Sequence, residues 1–167
     1  MISMEYVFRK ASEAEIPEIF DLYVRRVAWM DEVGIHQWNE TDYLPAYPQD
    51  YYREELQKGN LFVLENEAET LCGAVVLLQD DERWEDEPEQ RALYVHNLVT
   101  DRKQTGAGKA ILRETEKLAR KGGMQAVRLD CAVENKRLNA WYEDQGYLPT
   151  GFCTDGPYHG QRRKKRI

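Results

Sequence analysis

The run ALYVHNLVT at residues 92–100 passes directly into Asp101-Arg102-Lys103-Gln104-Thr105-Gly106-Ala107-Gly108-Lys109, and a helical apolar pattern then continues to the paired Gly122 and Gly123. The run is apolar on both faces, as a strand in the middle of a sheet must be. A helix that starts straight after such a strand points its first unpaired amides outwards, where they attract an anion, and glycines at the turn let the backbone come close to it. Two phosphate-binding loops are excluded. A Walker A loop needs Gly five positions before Gly108 and Ser or Thr after Lys109, where this chain has Lys103 and Ala110. A dinucleotide fingerprint needs its third small residue where Ile111 stands, and an opening βαβ unit. In isolation the turn is also compatible with a softened connection that holds no ligand.

The rest of the chain supplies a sheet for this unit. EYVFRKA alternates as a strand, and Ser12 with Glu15 three residues on forms a capping box that opens a helix over Glu13 to Met30, with Ile16, Ile19, Phe20, Tyr23, Val24 and Val27 as its apolar stripe. Periodicity then lapses, and residues 31–52 read as a long loop rich in aromatics (Trp38, Tyr43, Tyr47, Tyr51, Tyr52), the last of them entering a short helix, DYYREELQK. LFVLENE and TLCGAVVLLQ are two strands, DDERWEDEPEQ is an acidic loop, AVRLDCAV is a strand, NKRLNAWYEDQG is a second short helix, and a strand runs from Tyr147 to about Phe152. The expected order is β-α-α-β-β-β-α-β-α-β in one mixed α/β (α+β) domain over residues 1–167, a central mixed sheet flanked by helices.

Composition narrows the function classes. The chain has 167 residues, 42% hydrophobic and 32% charged, enough for one real core. With 23 Lys and Arg against 30 Asp and Glu, the net charge of −7 repels duplex nucleic acid. The longest apolar stretch, Leu71 to Leu78, falls far short of the roughly 20 residues that a spanning helix needs. Glu5 stands where the apolar core of an export signal would begin, so no membrane association and a cytoplasmic location are expected. Cys72, Cys131 and Cys153 lack any C-x-x-C spacing or neighbouring His cluster, which indicates reduced thiols and no metal.

The strand ending in Leu98-Val99, then K-x-x-G-x-G, a helix, the strand RLDCAV, then Asn135, Tyr142 seven residues on, and Gly146-Tyr147, together resemble the GNAT superfamily of acyl-CoA-dependent N-acyltransferases. The resemblance is specific over residues 91–152, the expected acyl-CoA-binding core, and holds in element order over residues 4–79. Lys103 stands where the family has Gln or Arg, and Tyr147 where it has Phe. The resemblance implies that the backbone of Asn97, Leu98 and Val99 receives the acetyl-pantetheine arm, and that the turn Gln104, Thr105, Gly106, Ala107, Gly108 and Lys109 holds the pyrophosphate of acetyl-CoA. It also implies that Asn135 bonds the pantetheine arm, although the same side chain reads as a helix N-cap. Tyr142 matches the family's proton donor; read without the family, it is a core aromatic on the stripe of Trp141.

Acetyl transfer to an amine needs a proton acceptor for the amine and a proton donor for the departing thiolate. Asp130 and His96 are the two candidate bases, with a water chain as a third route; Asp130 otherwise reads as a surface partner of Arg128, and His96 as a buried histidine. No acid or His stands at a readable spacing from Cys131 or Cys153, which disfavours a covalent route. The resemblance places the aromatic segment 31–52 over the acceptor, where its rings could stack on a substrate; ordinary packing of a long loop onto the body explains the same residues. The acidic loop carrying Asp80, Asp81, Glu82, Glu85, Asp86, Glu87 and Glu89 suggests a cationic small-molecule amine drawn in by its field. Residues 161–167, QRRKKRI, read either as a solvated basic tail that contacts RNA, membrane or protein, or as a last strand. The expected function is N-acetyltransfer from acetyl-CoA to a small primary amine, with a silent acyl-CoA-binding module as the rival and a homodimer as a possible assembly.

Overall fold

Ser12 and Glu15 open the first helix as expected: the Glu15 carboxylate accepts the backbone N–H of Ser12 at 2.9 Å. The computed structural model describes residues 5–87 and 91–167. A strand, β1 (Val7–Lys10), and one tight turn, Glu13–Glu15, lead into α1 (Ile16–Val33), which ends on Gly34 with a left-handed backbone. Its buried stripe is Ile16, Ile19, Leu22, Tyr23 and Met30, while Val24 is exposed.

The aromatic segment is more ordered than its sequence suggests. It holds a 3-10 turn at Trp38–Glu40 and a one-turn helix, α2 (Tyr43–Ala46), before α3 (Gln49–Gln57). Its rings pack on one another and on α1: Trp38 stacks on Tyr43 at 4.2 Å between centroids, and Tyr23 on Tyr52 at 4.6 Å.

The remaining elements are β2 (Leu61–Glu65), β3 (Leu71–Leu78), β4 (Ala92–Thr100), α4 (Ala107–Lys121), β5 (Ala126–Ala132), α5 (Lys136–Asp144), β6 (Leu148–Asp155) and β7 (Tyr158–Arg166). They form one seven-stranded sheet in the order β1-β2-β3-β4-β5-β7-β6, in which only the β4–β5 pair is parallel. Alternate residues of β3 serve opposite faces, Ala74 and Val76 packing with α1 and α3, Val75 and Leu77 with α4. No helix among the described residues is long and apolar enough to cross a membrane.

Of the two readings of residues 161–167, the last strand holds and the solvated tail does not: β7 inserts between β5 and β6, and the adjacent Arg162 and Arg163 are both buried. Their charges are met inside the fold, Arg162 by Asp86 and Arg163 by the Tyr147 carbonyl at 2.8 Å. In the acidic loop Asp80, Glu82 and Glu85 are exposed, but other groups of the loop are engaged with the fold. A 3-10 turn, Glu82–Trp84, seats the Trp84 ring between the guanidinium groups of Arg128 and Arg162, at 4.7 and 4.9 Å. Asp86 pairs with Arg162, and Glu87 with Arg128 and Lys164. Glu89 and residues 1–4 lie outside the described residues. Arg128 is itself buried, so it is no surface partner for Asp130.

Candidate active site

The parallel pair β4–β5 stays in register only over Ala92–Tyr94 and Ala126–Arg128, and beyond this the two strands separate. A cavity of about 900 Å³ opens in the gap, a volume suited to a small-molecule site. The residues that the sequence assigned to catalysis and to acyl-CoA binding all line it. One wall is the β4 backbone at Asn97, Leu98 and Val99; one end is the turn Gln104, Thr105, Gly106, Ala107, Gly108 and Lys109; Asn135 and Tyr142 of the α5 segment, with Asp130 and His96, complete the set.

The turn is built to keep amides free. Gly106 caps α4 with φ of 79°, and a Cβ built there meets nothing within 4 Å. Space is therefore not what calls for glycine; backbone conformation is. The amide of Gln104 is spent on the Asp101 carbonyl at 2.9 Å and that of Ala107 on the Gln104 carbonyl at 3.3 Å, which leaves those of Thr105, Gly106, Gly108 and Lys109 for an anion. The Tyr6 hydroxyl, donating to the Thr105 carbonyl at 2.8 Å, pins the turn. At Gly108 a Cβ would come within 3.2 Å of the Trp141 ring, so this glycine admits α5 against the start of α4. Arg26, Arg102, Lys109 and Arg137 line the same end. Gly106→Val is expected to cost about 1–2 kcal/mol from the positive φ and to remove the rise in Tm that CoA gives the native chain. An unchanged CoA shift would take the anion site away from this turn.

The other end of the cavity is aromatic and acidic. Trp38, Tyr43, Tyr47 and Tyr158 form its wall. His96 Nε2 lies 2.7 Å from Asp81 Oδ2. In the neutral ring, a carboxylate at Nε2 favours the proton there and leaves Nδ1 as the lone pair. Burial works against the Asp81 carboxylate, but the hydrogen bond from His96, the charge of that ring when it is protonated, and the amide and charge of Arg83 outweigh it and hold this acid below its ordinary range. Asp130 accepts from the Tyr158 hydroxyl at 2.5 Å and from Arg83 at 3.2 Å, and Arg83 also donates to the exposed Asp155 at 2.9 Å. None of Glu85, Asp86 and Glu87 reaches the cavity; among the described residues the acids that line it are Asp130 and Asp155.

Asn135 acts as the N-cap of α5, accepting from the Leu138 amide at 3.1 Å, and it also donates to Gln37 at 2.8 Å. Tyr142 is buried, and desolvation pushes its phenol well above the ordinary value, so it holds its proton. Burial pushes the Cys131 thiol up to about 12 and the Cys153 thiol up to about 11, which makes both poor nucleophiles. Arg83, Asp81 and Tyr158 are the contributors that sequence spacing did not point to.

A cleft between splayed parallel strands, with an anion-binding helix start at one end and proton-handling side chains at the other, defines an acyl-CoA-dependent acetyltransferase. The chain matches the Acetyltransferase (GNAT) family over residues 32–147 and belongs to it. It is 27% identical over 148 residues to the uncharacterized N-acetyltransferase YesJ of Bacillus subtilis (strain 168), covering 84% of this chain and 80% of that one. A GNAT-family acetyltransferase from Listeria monocytogenes 4b F2365 superposes with a TM-score of 0.81 at 26% identity, over 98% of this chain and 96% of that one. The PaiA N-acetyltransferase of Thermoplasma acidophilum, solved in complex with coenzyme A, shares the fold with a TM-score of 0.74 at 20% identity, over 98% of this chain and all (100%) of that one.

Proposed function

We propose that this chain moves the acetyl group of acetyl-CoA onto a primary amine of a small cationic molecule, by direct attack with both substrates bound. The observation that carries the reading is the continuity of one cavity from the free amides of the glycine turn to the aromatic, acidic chamber beyond β4. The turn and its cations suit the pyrophosphate of CoA. The β4 backbone at Asn97, Leu98 and Val99 suits the acetyl-pantetheine arm, and a strand amide there polarises the thioester carbonyl. Asn135 keeps its N-cap bond and turns its amide from Gln37 to the arm.

In the reaction the amine nitrogen bonds the thioester carbon, the carbon–sulfur bond breaks, and the sulfur leaves with the bonding pair. His96, held by Asp81, takes the amine proton directly or through water, and Tyr142 gives its phenolic proton to the sulfur. Asp130, with Arg83 and Tyr158 already on its oxygens, holds those two side chains over the acceptor. The faces of Trp38, Tyr43 and Tyr47 attract a cation, and the Asp155 carboxylate at the rim adds charge complementarity. Thiol release from acetyl-CoA, followed over a panel of amines, tests the reading: the expected preference is for polyamines, amino sugars and lysine-like amines over anionic acceptors. Preference for an anionic acceptor overturns the cationic class, and tight CoA binding without release for any amine overturns transfer itself.

A further inference from the structure

Asn97 has a left-handed backbone, φ of 54°, in the middle of a central strand. Few non-glycine residues adopt it, and Asn is among the most tolerant. The register shows why it occurs. Ala74 faces Val99 and Val76 faces His96, so the single residue Val75 of β3 stands opposite two residues of β4, Asn97 and Leu98, and the strand bulges into the cavity wall. Three tyrosines, one each from α1, α2 and α3, grip this point. Tyr23 donates to the Asn97 carbonyl at 2.5 Å, Tyr51 donates to the Asn97 Oδ1 at 2.7 Å, and the Asn97 Nδ2 donates to the hydroxyl of Tyr43. Both faces of the side-chain amide are thus used, one donor to Tyr43 and one acceptor from Tyr51, and the carbonyl is satisfied by α1 instead of by β3.

We infer that Asn97 is a positioning residue, through which tyrosines of α1, α2 and α3 hold the β4 bulge in the shape that receives the acetyl group. In a trans peptide the Asn97 carbonyl and the Leu98 N–H point in opposite directions. Tyr23, by fixing the carbonyl, fixes the direction of that amide as well. Tyr43 and Tyr51, by holding the side chain, keep the residue left-handed. Tyr43 also lines the acceptor chamber, so one side chain touches both substrates' compartments. This inference rests on the acetyl-CoA reading above and adds a residue that acts through the backbone and not by touching the reacting atoms.

The experiment compares Kd for acetyl-CoA with Kd for CoA in the full chain and in N97A, N97G, Y51F and Y43F. Free CoA lacks the group that the bulge receives, so the ratio isolates it. The native chain is expected to prefer acetyl-CoA, and Y51F to reduce that preference about five- to tenfold, the effect of one hydrogen bond, with CoA binding unchanged. N97A is expected to lose more than N97G, because glycine adopts the left-handed backbone without the side chain. In the N97G background Y51F and Y43F are expected to do nothing further, since their route through Asn97 is gone. Additive losses there overturn the inference and return the hydroxyls to direct substrate contact. An acetyl preference that survives Y51F also overturns it, and Y51F carries the test if N97A does not fold. A native chain that binds CoA and turns over amines with no acetyl preference defeats this inference alone, whereas a native chain that binds no CoA defeats the acetyl-CoA reading beneath it.

Discussion

Deleting residues 161–167 is expected to abolish cooperative folding, although their composition is that of a dispensable basic tail. The deletion strips β5 of its partners from Ala126 to Cys131 and β6 of those from Leu148 to Phe152, in the interior of the sheet. It also removes Arg163 from the Tyr147 carbonyl and Lys165 from Glu116, leaving a buried acid whose remaining partner is the Tyr147 hydroxyl. A net contribution of about 1 kcal/mol per ladder hydrogen bond, lost on both flanks of β7, stands against a total stability of about 5–15 kcal/mol for a domain of this size. Thermal unfolding followed by circular dichroism is expected to lose its sigmoidal transition. A truncated chain that melts cooperatively near the native Tm and still binds CoA would restore the tail.

That strand shows what composition alone does not convey. Five cations in seven residues raise the chain's balance from 18 against 30 to 23 against 30, and such a run is normally solvated. Here the partners lie far away in sequence, Asp86 for Arg162 and Glu87 for Lys164, and the ring of Trp84 makes the interior tolerant of guanidinium. The same pairs tie Asp86 and Glu87 of the acidic loop to β7, which neither segment shows alone. By contrast the glycine turn, Asn135 and Tyr142, which the resemblance to the family's motif picks out within one local strand–helix stretch, do line the cavity. Arg83 meets Asp130 across 47 positions, and Asp81 meets His96 across the whole β3–β4 connection, distances over which spacing carries no signal. The left-handed turn of Asn97 was hidden for another reason: Asn in an apolar run gives no turn signature, and only the unequal register of β3 and β4 reveals it.

Tyr142→Phe is expected to lower kcat by about a hundredfold or more, the scale on which a positioned proton donor contributes, with Kd for CoA unchanged. The two effects separate because the ring and the hydroxyl do different work. The ring packs against Trp141 at 5.1 Å and Tyr147 at 6.2 Å between centroids, contacts that Phe keeps, so the cavity wall and the Tm should change little. The hydroxyl matters only once the carbon–sulfur bond stretches and charge gathers on sulfur, which places the loss in kcat and not in ground-state binding. Burial first, and then the nearby Cys131 and Asp130, raise the phenol above its ordinary range, against which Arg26 pulls only weakly. The proton is therefore present throughout the working pH range, and no fall in kcat assignable to Tyr142 should appear below about pH 10. Activity lost through a collapsed site would bring a lower Tm and weaker CoA binding with it, which the same preparation reports. A Phe variant with full kcat would leave Tyr142 as packing for α5 and pass the proton donor's role to water.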